Sequence, residues 1–523
     1  MLGIILTLSG VLAILTVWRY RNVGRRDPRL PPGPPTIPVL GNAHQIPVTG
    51  LGKKFHEWAK QYGSIYSLKV FSSNLIVIAD RKAVYELLDK KGSIYSERPH
   101  LEVPLYMSRG CHMTFEQTTP SWREKRTVVT RNLNPKNLDE KHFRVQEAES
   151  TVLLNNIMRE PDQVFDYARL YASSVASILT WGFRAKDFKS FFYEKFYDFV
   201  DQWLEAIEPG ANPPVEVMPI FWYLPGAWKK RAKHVRGLMD STWSKARQMV
   251  DERRAAGDAR DAMIDMKLDE YEKGGWPLSQ YAFQNLFGEL LEAGADTTAN
   301  MILTTILAVT KFPEAQAKAQ KELDAVCGDE RMPQFSDFGS LPYINCIIKE
   351  ALRWRPTSDL GIPHRLAQDD WYRGMFLPKD SMIWLAAWAI HQDERLYPDH
   401  DRFDPDRFLN HKKLANEYAV GSDWENRDNR LPHHYGYGAG RRMCPGIHLA
   451  ERSMWRVTAK LLWAFDLKEL PDQPLDVNAY TSSNLVRPLP YRVSVTPRSP
   501  ERVKVLQNEL HGAMAFLAKY DER

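Results

Sequence analysis

Cysteine is scarce in this chain: Cys111, Cys327, Cys346 and Cys444 are the only four in 523 residues, too few and too scattered for a disulfide framework. That fits a reducing compartment, as does the lack of any Asn-x-Ser/Thr acceptor for glycosylation. No Cys-x-x-Cys or His-x-x-x-His pair is present, which argues against structural zinc. No Gly-Lys-Ser/Thr follows a glycine-rich stretch, and the glycine spacing misses the dinucleotide fingerprint. A large surplus of one charge is missing too. The formal net charge of +5 is spread along the chain and does not call for nucleic-acid binding, although a basic face for an acidic protein partner stays open. What is present is enough apolar content, 44%, to bury a large core in one large domain or two intimate ones.

One long apolar run stands out, Leu2 to Trp18, uncharged and about long enough to span a bilayer with slight thinning. No basic residue precedes it, while Arg19, Arg21, Arg25 and Arg26 follow at once. The positive-inside rule then places the body in the cytosol. A cleaved signal peptide normally has a basic n-region and a small-x-small cleavage site, neither of which is convincing here. Pro31-Pro-Gly-Pro-Pro35 is a stiff extended segment.

Two strands, Ser64–Val70 and Leu75–Ala79, are predicted around a Ser72-Ser73-Asn74 turn, joined by strands from Met375–Leu377 and Met382–Leu385. Elsewhere the apolar spacing is helical, which predicts a mainly α body with a minor sheet. Ser279 is set to cap a helix running to about Lys311, before Pro313. Its middle, Ala293-Gly-Ala-Asp-Thr-Thr298, is poor helix chemistry, so a kink or widened turn is expected there. Pro219-Ile-Phe-Trp-Tyr-Leu-Pro225 next to Lys229, Lys230 and Arg231 suits a membrane headgroup zone or an ordinary loop with an apolar underside. Asn410 to Leu431 reads as a polar surface meander, and a turn near Tyr480-Thr-Ser-Ser-Asn484 is expected to enter the pocket. From Ser499 a further helix is predicted by its Ser-Pro-Glu start and the helical recurrence of Val503, Leu506, Leu510, Met514 and Leu517.

The chain is organised around Tyr435-Gly-Tyr-Gly-Ala-Gly-Arg-Arg-Met-Cys444-Pro-Gly446. Glycines allow close approach to a flat ligand, and a sulfur beside a helix N-terminus is favoured as the thiolate, which can bind iron. A zinc site from Cys444 with His433, His434 and His448, or a buried filler cysteine, are the competing readings.

With Arg442 two residues before Cys444 and Gly446 two after, the loop resembles the signature of the haem-thiolate monooxygenases, the cytochrome P-450 superfamily, with Tyr437 where the family has Phe. The resemblance extends in order through an N-terminal anchor, the proline hinge, Trp122/Arg126, Asp296/Thr297, Glu350/Arg353, Arg407 and Cys444. It implies the cytochrome P-450 fold plus one transmembrane helix, with the anchor at 1–20, the hinge at 21–48 and the catalytic domain at 49–498; the helical extension at 499–523 lies beyond where family members often end. It implies haem b with Cys444 as axial thiolate, Trp122, Arg126, Arg442 and His364 (or Arg365) at the haem, and Asp296 and Thr297 as acid and alcohol delivering protons. Glu350, Arg353 and Arg407 become a structural ion network. Arg123 and Lys125 are candidate docking charges, and Ser358 and Asp359 are either a polar handle on the substrate or a solvent-facing turn.

The implied activity is hydroxylation or epoxidation of a small lipophilic substrate with O2. The chain has no flavin or nicotinamide motif, so electrons would come from an NADPH-dependent flavoprotein reductase, with cytochrome b5 as an optional second donor. The sequence style is similar to filamentous-fungal enzymes of specialised metabolism, implying an aromatic, polyketide or terpenoid substrate and an endoplasmic reticulum membrane location with the catalytic domain cytosolic. Two other classes compete. A haem-thiolate isomerase or dehydratase tends to lose the acid–alcohol pair, and an electron carrier or sensor needs no large pocket.

Overall fold

The computed structural model describes residues 23–411, 414, 433–483 and 485–522. The expected anchor and nearly all of the polar meander lie outside the described residues; among those described, no helix is long and apolar enough to cross a membrane.

Nine helices carry the argument: α1 (Pro120–Asn132), α2 (Phe143–Arg159), α3 (Val164–Trp181), α4 (Phe191–Ile207), α5 (Ala227–Ala255), α6 (Gln280–Lys311), α7 (Pro342–Trp354), α8 (Ile447–Ala464) and α9 (Pro500–Leu517). α6 is the axle. The Ser279 hydroxyl accepts from the Ala282 N–H at 3.1 Å, a cap of about 1 kcal/mol. From there α6 runs 32 residues and is buried on nearly every side. Its most extensive neighbour is α3. Gly288 is required there: a Cβ would come within 2.3 Å of the Trp243 ring, which α5 presses onto the α6 backbone. Trp243 in turn stacks on Trp181 of α3 with centroids 6.0 Å apart.

The expected kink in α6 is replaced by an unbroken α-helix. The Thr297 hydroxyl donates to the Ala293 carbonyl at 2.7 Å, so the polar side chain is satisfied without opening the ladder.

The sheet follows the predicted hairpin. β1 (Ile65–Val70) and β2 (Ser73–Ile78) pair antiparallel, Ile65 opposite Ile78 and Val70 opposite Ser73, closing at Phe71 with a φ of 52°. Distant strands complete it: β3 (His364–Arg365) pairs with β6 (Met382–Leu385), which lies parallel to β2. Met375–Leu377, expected in this sheet, instead forms β5 of a separate hairpin with β4 (Asp370–Tyr372). Another two-stranded sheet pairs β7 (Phe465–Lys468) with β8 (Ser494–Pro497).

The C-terminal helix is built into the body. Ser499 caps α9, which packs on α2, and Arg502 reaches Asp329, Asp324 and the Trp463 carbonyl. Arg184 takes the Tyr520 carbonyl with its backbone N–H at 2.8 Å. A cleft of about 680 Å³ lies between α2 and α9 and holds none of the site residues below.

The core under the sheet is pinned by ions. Arg353 meets Glu350 through a two-pronged bond of 2.7 and 2.8 Å, with both side chains fully buried. Arg407 approaches the same carboxylate at 3.5 Å, and Arg353 also donates to the His391 and His400 carbonyls. Removing the acid strands two cations in the interior. Glu350→Ala is therefore expected to cost about 3–5 kcal/mol in denaturant unfolding. Arg407→Ala should cost clearly less; equal losses would contradict the geometry.

Candidate active site

The Cys444 loop is shaped by left-handed turns at Gly438, φ 77°, and Gly440, φ 68°. At Gly440 a Cβ would meet the Leu88 carbonyl oxygen at 2.3 Å, so only glycine lets the loop close on the segment carrying Asp89, whose carboxylate accepts the Gly440 N–H at 2.7 Å. The Cys444 N–H donates to the Tyr437 carbonyl at 2.9 Å, and Gly446 stands at the N-terminus of α8. The sulfur is therefore aimed by the backbone. Burial pushes the Cys444 thiol up, against the Gly446 N–H and Arg126, which favour the thiolate. The N–H at the helix start favours the thiolate, as expected from the sequence, while burial opposes it; a bound metal cation would shift the balance to the thiolate.

Three guanidinium groups converge beside it. Arg126 of α1 donates to the Met443 carbonyl, next to the cysteine. Arg442 lies over the Trp122 ring at 4.0 Å and donates to the Ser96 and Glu116 carbonyls at 2.8 and 2.7 Å. Arg98, buried, donates to the Thr114, Ile362 and Pro363 carbonyls. Among the described residues, none of the three forms an ion pair with a carboxylate. Burial holds the Arg98 guanidinium well below its usual range, and Arg442 and Arg126 add to the effect. Burial also lowers Arg442 to about 10, though Glu97 pulls the other way. Arg98 escaped the sequence reading because a lone Arg-Pro pair carries no pattern; only the fold brings it here.

His364 sits next to this group. A backbone carbonyl only accepts, so its Nδ1 carries the proton bonded to the Tyr95 oxygen at 2.7 Å, leaving Nε2 as acceptor. Burial and Arg98 push this imidazole down to about 3. The alternative, Arg365, is half-buried and turned to Asp380, Gln117 and the Arg98 carbonyl.

α6 has an open stretch of its own. Among its buried residues Ala293 is exposed and Gly294 and Thr297 are half-buried, three residues on one face, so this part of the helix borders open space. Asp296 turns aside from it, buried, with Arg169 Nε at 3.7 Å and the Asn300 amide donating at 3.3 Å. Burial raises its carboxyl and Arg169 opposes that. Asp296 also lines an open cleft of about 830 Å³ with Asp201, Arg231, Arg487 and the Thr481–Ser483 turn.

Other expectations resolve differently. His433 and His434 stack on one another, and among the described residues no three His, Cys, Asp or Glu side chains gather to hold a metal, so the zinc reading is set aside. Lys125 is no docking charge: it is fully buried and donates to Glu116 at 2.8 Å, whereas Arg123 is exposed. Asp359 sits half-buried in a bend at the rim of an open pocket; burial lifts its carboxyl to about 6, and its Oδ2 would lie 2.3 Å from a Cβ at Gly52.

A sulfur needing a cation, guanidinium groups needing anions and a helix face of small residues fit one flat group that carries both a metal and carboxylates. Haem b is such a group.

The comparisons agree. The family model described as Cytochrome P-450 matches residues 31–495. The chain is 40% identical to the cytochrome P-450 monooxygenase atE of Aspergillus terreus over 99% of this chain and 97% of that one. It is 39% identical to the cytochrome P-450 monooxygenase patI of Aspergillus clavatus over 99% and 98%. A solved zebra fish cytochrome P-450, determined with abiraterone, shares the fold at a TM-score of 0.69 and 22% identity, covering 86% of this chain and all of that one.

Losing one charge-assisted bond to a haem carboxylate is expected to weaken haem retention by about 1.5–3 kcal/mol. Arg98→Leu and Arg442→Leu should each speed haem transfer to an apoglobin acceptor by roughly ten- to hundredfold. Arg365→Leu should leave the transfer rate unchanged.

Proposed function

The chain belongs to the cytochrome P-450 family, and from that premise we propose that it is a haem monooxygenase of fungal secondary metabolism, hydroxylating or epoxidising a small aromatic, polyketide or terpenoid intermediate. The observation that carries this reading is the convergence of Arg98, Arg126 and Arg442 beside Cys444. When bound, haem b supplies the oxygen-activating chemistry, and a thiolate ligand donates the electron density that favours O–O cleavage. Cys444 would hold the iron, and the three arginines, stacked or bonded to fixed backbone carbonyls, would hold the carboxylates.

Thr297 borders the open space with a hydroxyl whose proton is engaged by the Ala293 carbonyl, so its oxygen is free to accept and position a water. Asp296 lies one residue away with a raised pKa and one carboxylate oxygen, Oδ1, lacking a hydrogen bond. It can take a proton from the cleft at Asp201 and give it up toward Thr297 when its side chain turns from Arg169. Retention of this acid–alcohol pair is what favours oxygen chemistry over isomerisation or dehydration.

The substrate would enter through the cleft lined by the Thr481–Ser483 turn, Arg231 and Arg487. These groups suit an intermediate with hydroxyl or carbonyl oxygens on a lipophilic frame. Electrons would come from an NADPH-dependent flavoprotein reductase, with cytochrome b5 as an optional second donor. Residues 1–20 would anchor the protein in the endoplasmic reticulum membrane with the catalytic domain cytosolic. The apolar side chains of Ile220, Tyr223 and Leu224, 59%, 80% and 46% exposed, would add a second membrane contact, while Phe221 and Trp222 pack inward.

With a matched reductase, wild-type protein should consume NADPH faster when substrate is present, and Thr297→Ala should divert much of that consumption to hydrogen peroxide. Consumption indifferent to every candidate substrate would contradict the reading. In a variant lacking residues 1–22, glutamate at Ile220, Tyr223 and Leu224 should abolish flotation with phospholipid vesicles; unchanged flotation would remove the second contact.

A further inference from the structure

One buried face of α6 is polar and has no full account above. Asn285, Glu289, Glu292 and Asp296 recur at spacings of four, three and four, which places them in a row. All are at least nine-tenths buried, at 0%, 4%, 8% and 3% exposure. Carboxyl groups in such a place need partners or a task.

Their partners come from the segment before α1. His112, stacked on Trp203 with centroids 5.0 Å apart, places Nε2 3.3 Å from Glu292 and Nδ1 4.0 Å from Glu289. The Met113 N–H donates to Glu289 at 2.8 Å. Behind them Lys125 donates to Glu116, which also accepts from the hydroxyl of half-buried Thr119, reaching toward the surface. The remaining oxygens are orphaned in sequence: Asn285 Oδ1, Glu289 Oε1, Glu292 Oε1 and Asp296 Oδ1 each lack a hydrogen-bond partner. Residues one turn apart on a helix rise by about 5–6 Å, a gap that one or two bridging waters span. Of these, Asp296 Oδ1 faces Arg169 Nε at 3.7 Å, while Glu289 Oε1 and Glu292 Oε1 are left for bridging water.

We propose that Glu292, recharged through His112 and Glu289, passes protons along this face of α6 to Asp296, giving the enzyme an internal proton path separate from the cleft at Asp201. The proposal rests on the reading of the chain as a haem monooxygenase. In each passage the O–H bond of the Glu292 carboxylic acid breaks and a proton moves through bridging water to a carboxylate oxygen of Asp296. Glu292 recovers a proton from the His112 imidazolium; His112 recovers one from Glu289 at Nδ1, giving up the Thr114 N–H that Nδ1 accepts at 3.3 Å, and Glu289 is reprotonated by solvent from the Thr119 side. No electrons move, and the net transfer is one proton from the Thr119 side to Asp296. Glu289 and His112 are both shifted upward. Burial raises the Glu289 carboxyl to about 7. Burial works against the His112 imidazolium, but Glu289 and Glu292 outweigh it and its pKa rises.

The test uses the full-length, haem-loaded protein with its reductase and a turned-over substrate, comparing wild type with Glu292→Gln and His112→Asn. Both variants should slow substrate-dependent NADPH consumption about tenfold, equivalent to ~1.4 kcal/mol. Both should raise its solvent deuterium isotope effect, leave substrate affinity unchanged, and Glu292→Asp should restore part of the rate. In histidine-labelled protein followed by NMR, the His112 titration midpoint should fall in Glu292→Gln. If affinity or melting temperature drops while the isotope effect stays at the wild-type value, the residues only fasten the 111–116 segment to α6 and the proposal is overturned. Failure of the wild type itself to couple NADPH use to substrate would instead overturn the monooxygenase reading. Where Glu292→Gln does not accumulate, His112→Asn gives the same isotope readout.

Discussion

Three guanidinium groups held together inside a protein repel one another, and that repulsion is the constraint on which the site turns. Burial and this mutual repulsion both lower the pKa of the Arg98 guanidinium. Arg98, Arg126 and Arg442 meet only carbonyl oxygens and the Trp122 ring, which orient them without neutralising them. Beside them the Cys444 thiol is held above its usual range by burial. Each half of this arrangement is unfavourable alone. Haem carboxylates and iron would relieve both at once, so the polypeptide stores the cofactor's charge pattern in negative.

The rest of the fold keeps that site in register. The cysteine loop is tied to the Asp89 segment and to α8, and the position of α6 is set by α3 and the Trp243 contact at Gly288. Glu350, Arg353 and Arg407 lie away from the chemistry and hold the loop-bearing side rigid. α9 does similar work at the other end, joining the C-terminus to the Asp324 and Asp329 carboxylates. Rigid elements thus carry the groups that must not move, and Asp296, with its single longer ion pair to Arg169, is the one left able to turn.

Much of this was legible in the chain because local chemistry and global fold agree. Ser279 and Pro313 bound α6 by capping and helix-breaking rules, and the strand alternation at 65–78 located the hairpin. The Cys444 loop, Trp122/Arg126 and Asp296/Thr297 were visible as patterned residues. What escaped were contacts made only by tertiary packing. Arg98 has no neighbour in sequence that betrays it, and Met375–Leu377 carries strand chemistry but no signal for which sheet it joins. Lys125 looked like surface charge because a lysine on a basic helix usually is; Glu116 and the Cys111 carbonyl draw it inside. His364 was legible only as a family propionate position; its neighbours Arg98 and Arg442, and the lowering of its pKa by burial among those like charges, come from the fold.

The central claim is that the Cys444 sulfur ligates haem iron in a site pre-charged by these arginines. Its most direct test is the absorption spectrum of the reduced, carbon monoxide-bound protein, wild type against Cys444→Ala. The wild type should show the strongly red-shifted Soret band of a thiolate ligand, and the variant should lose that band even when it retains haem. Persistence of the red-shifted band in Cys444→Ala would contradict the account.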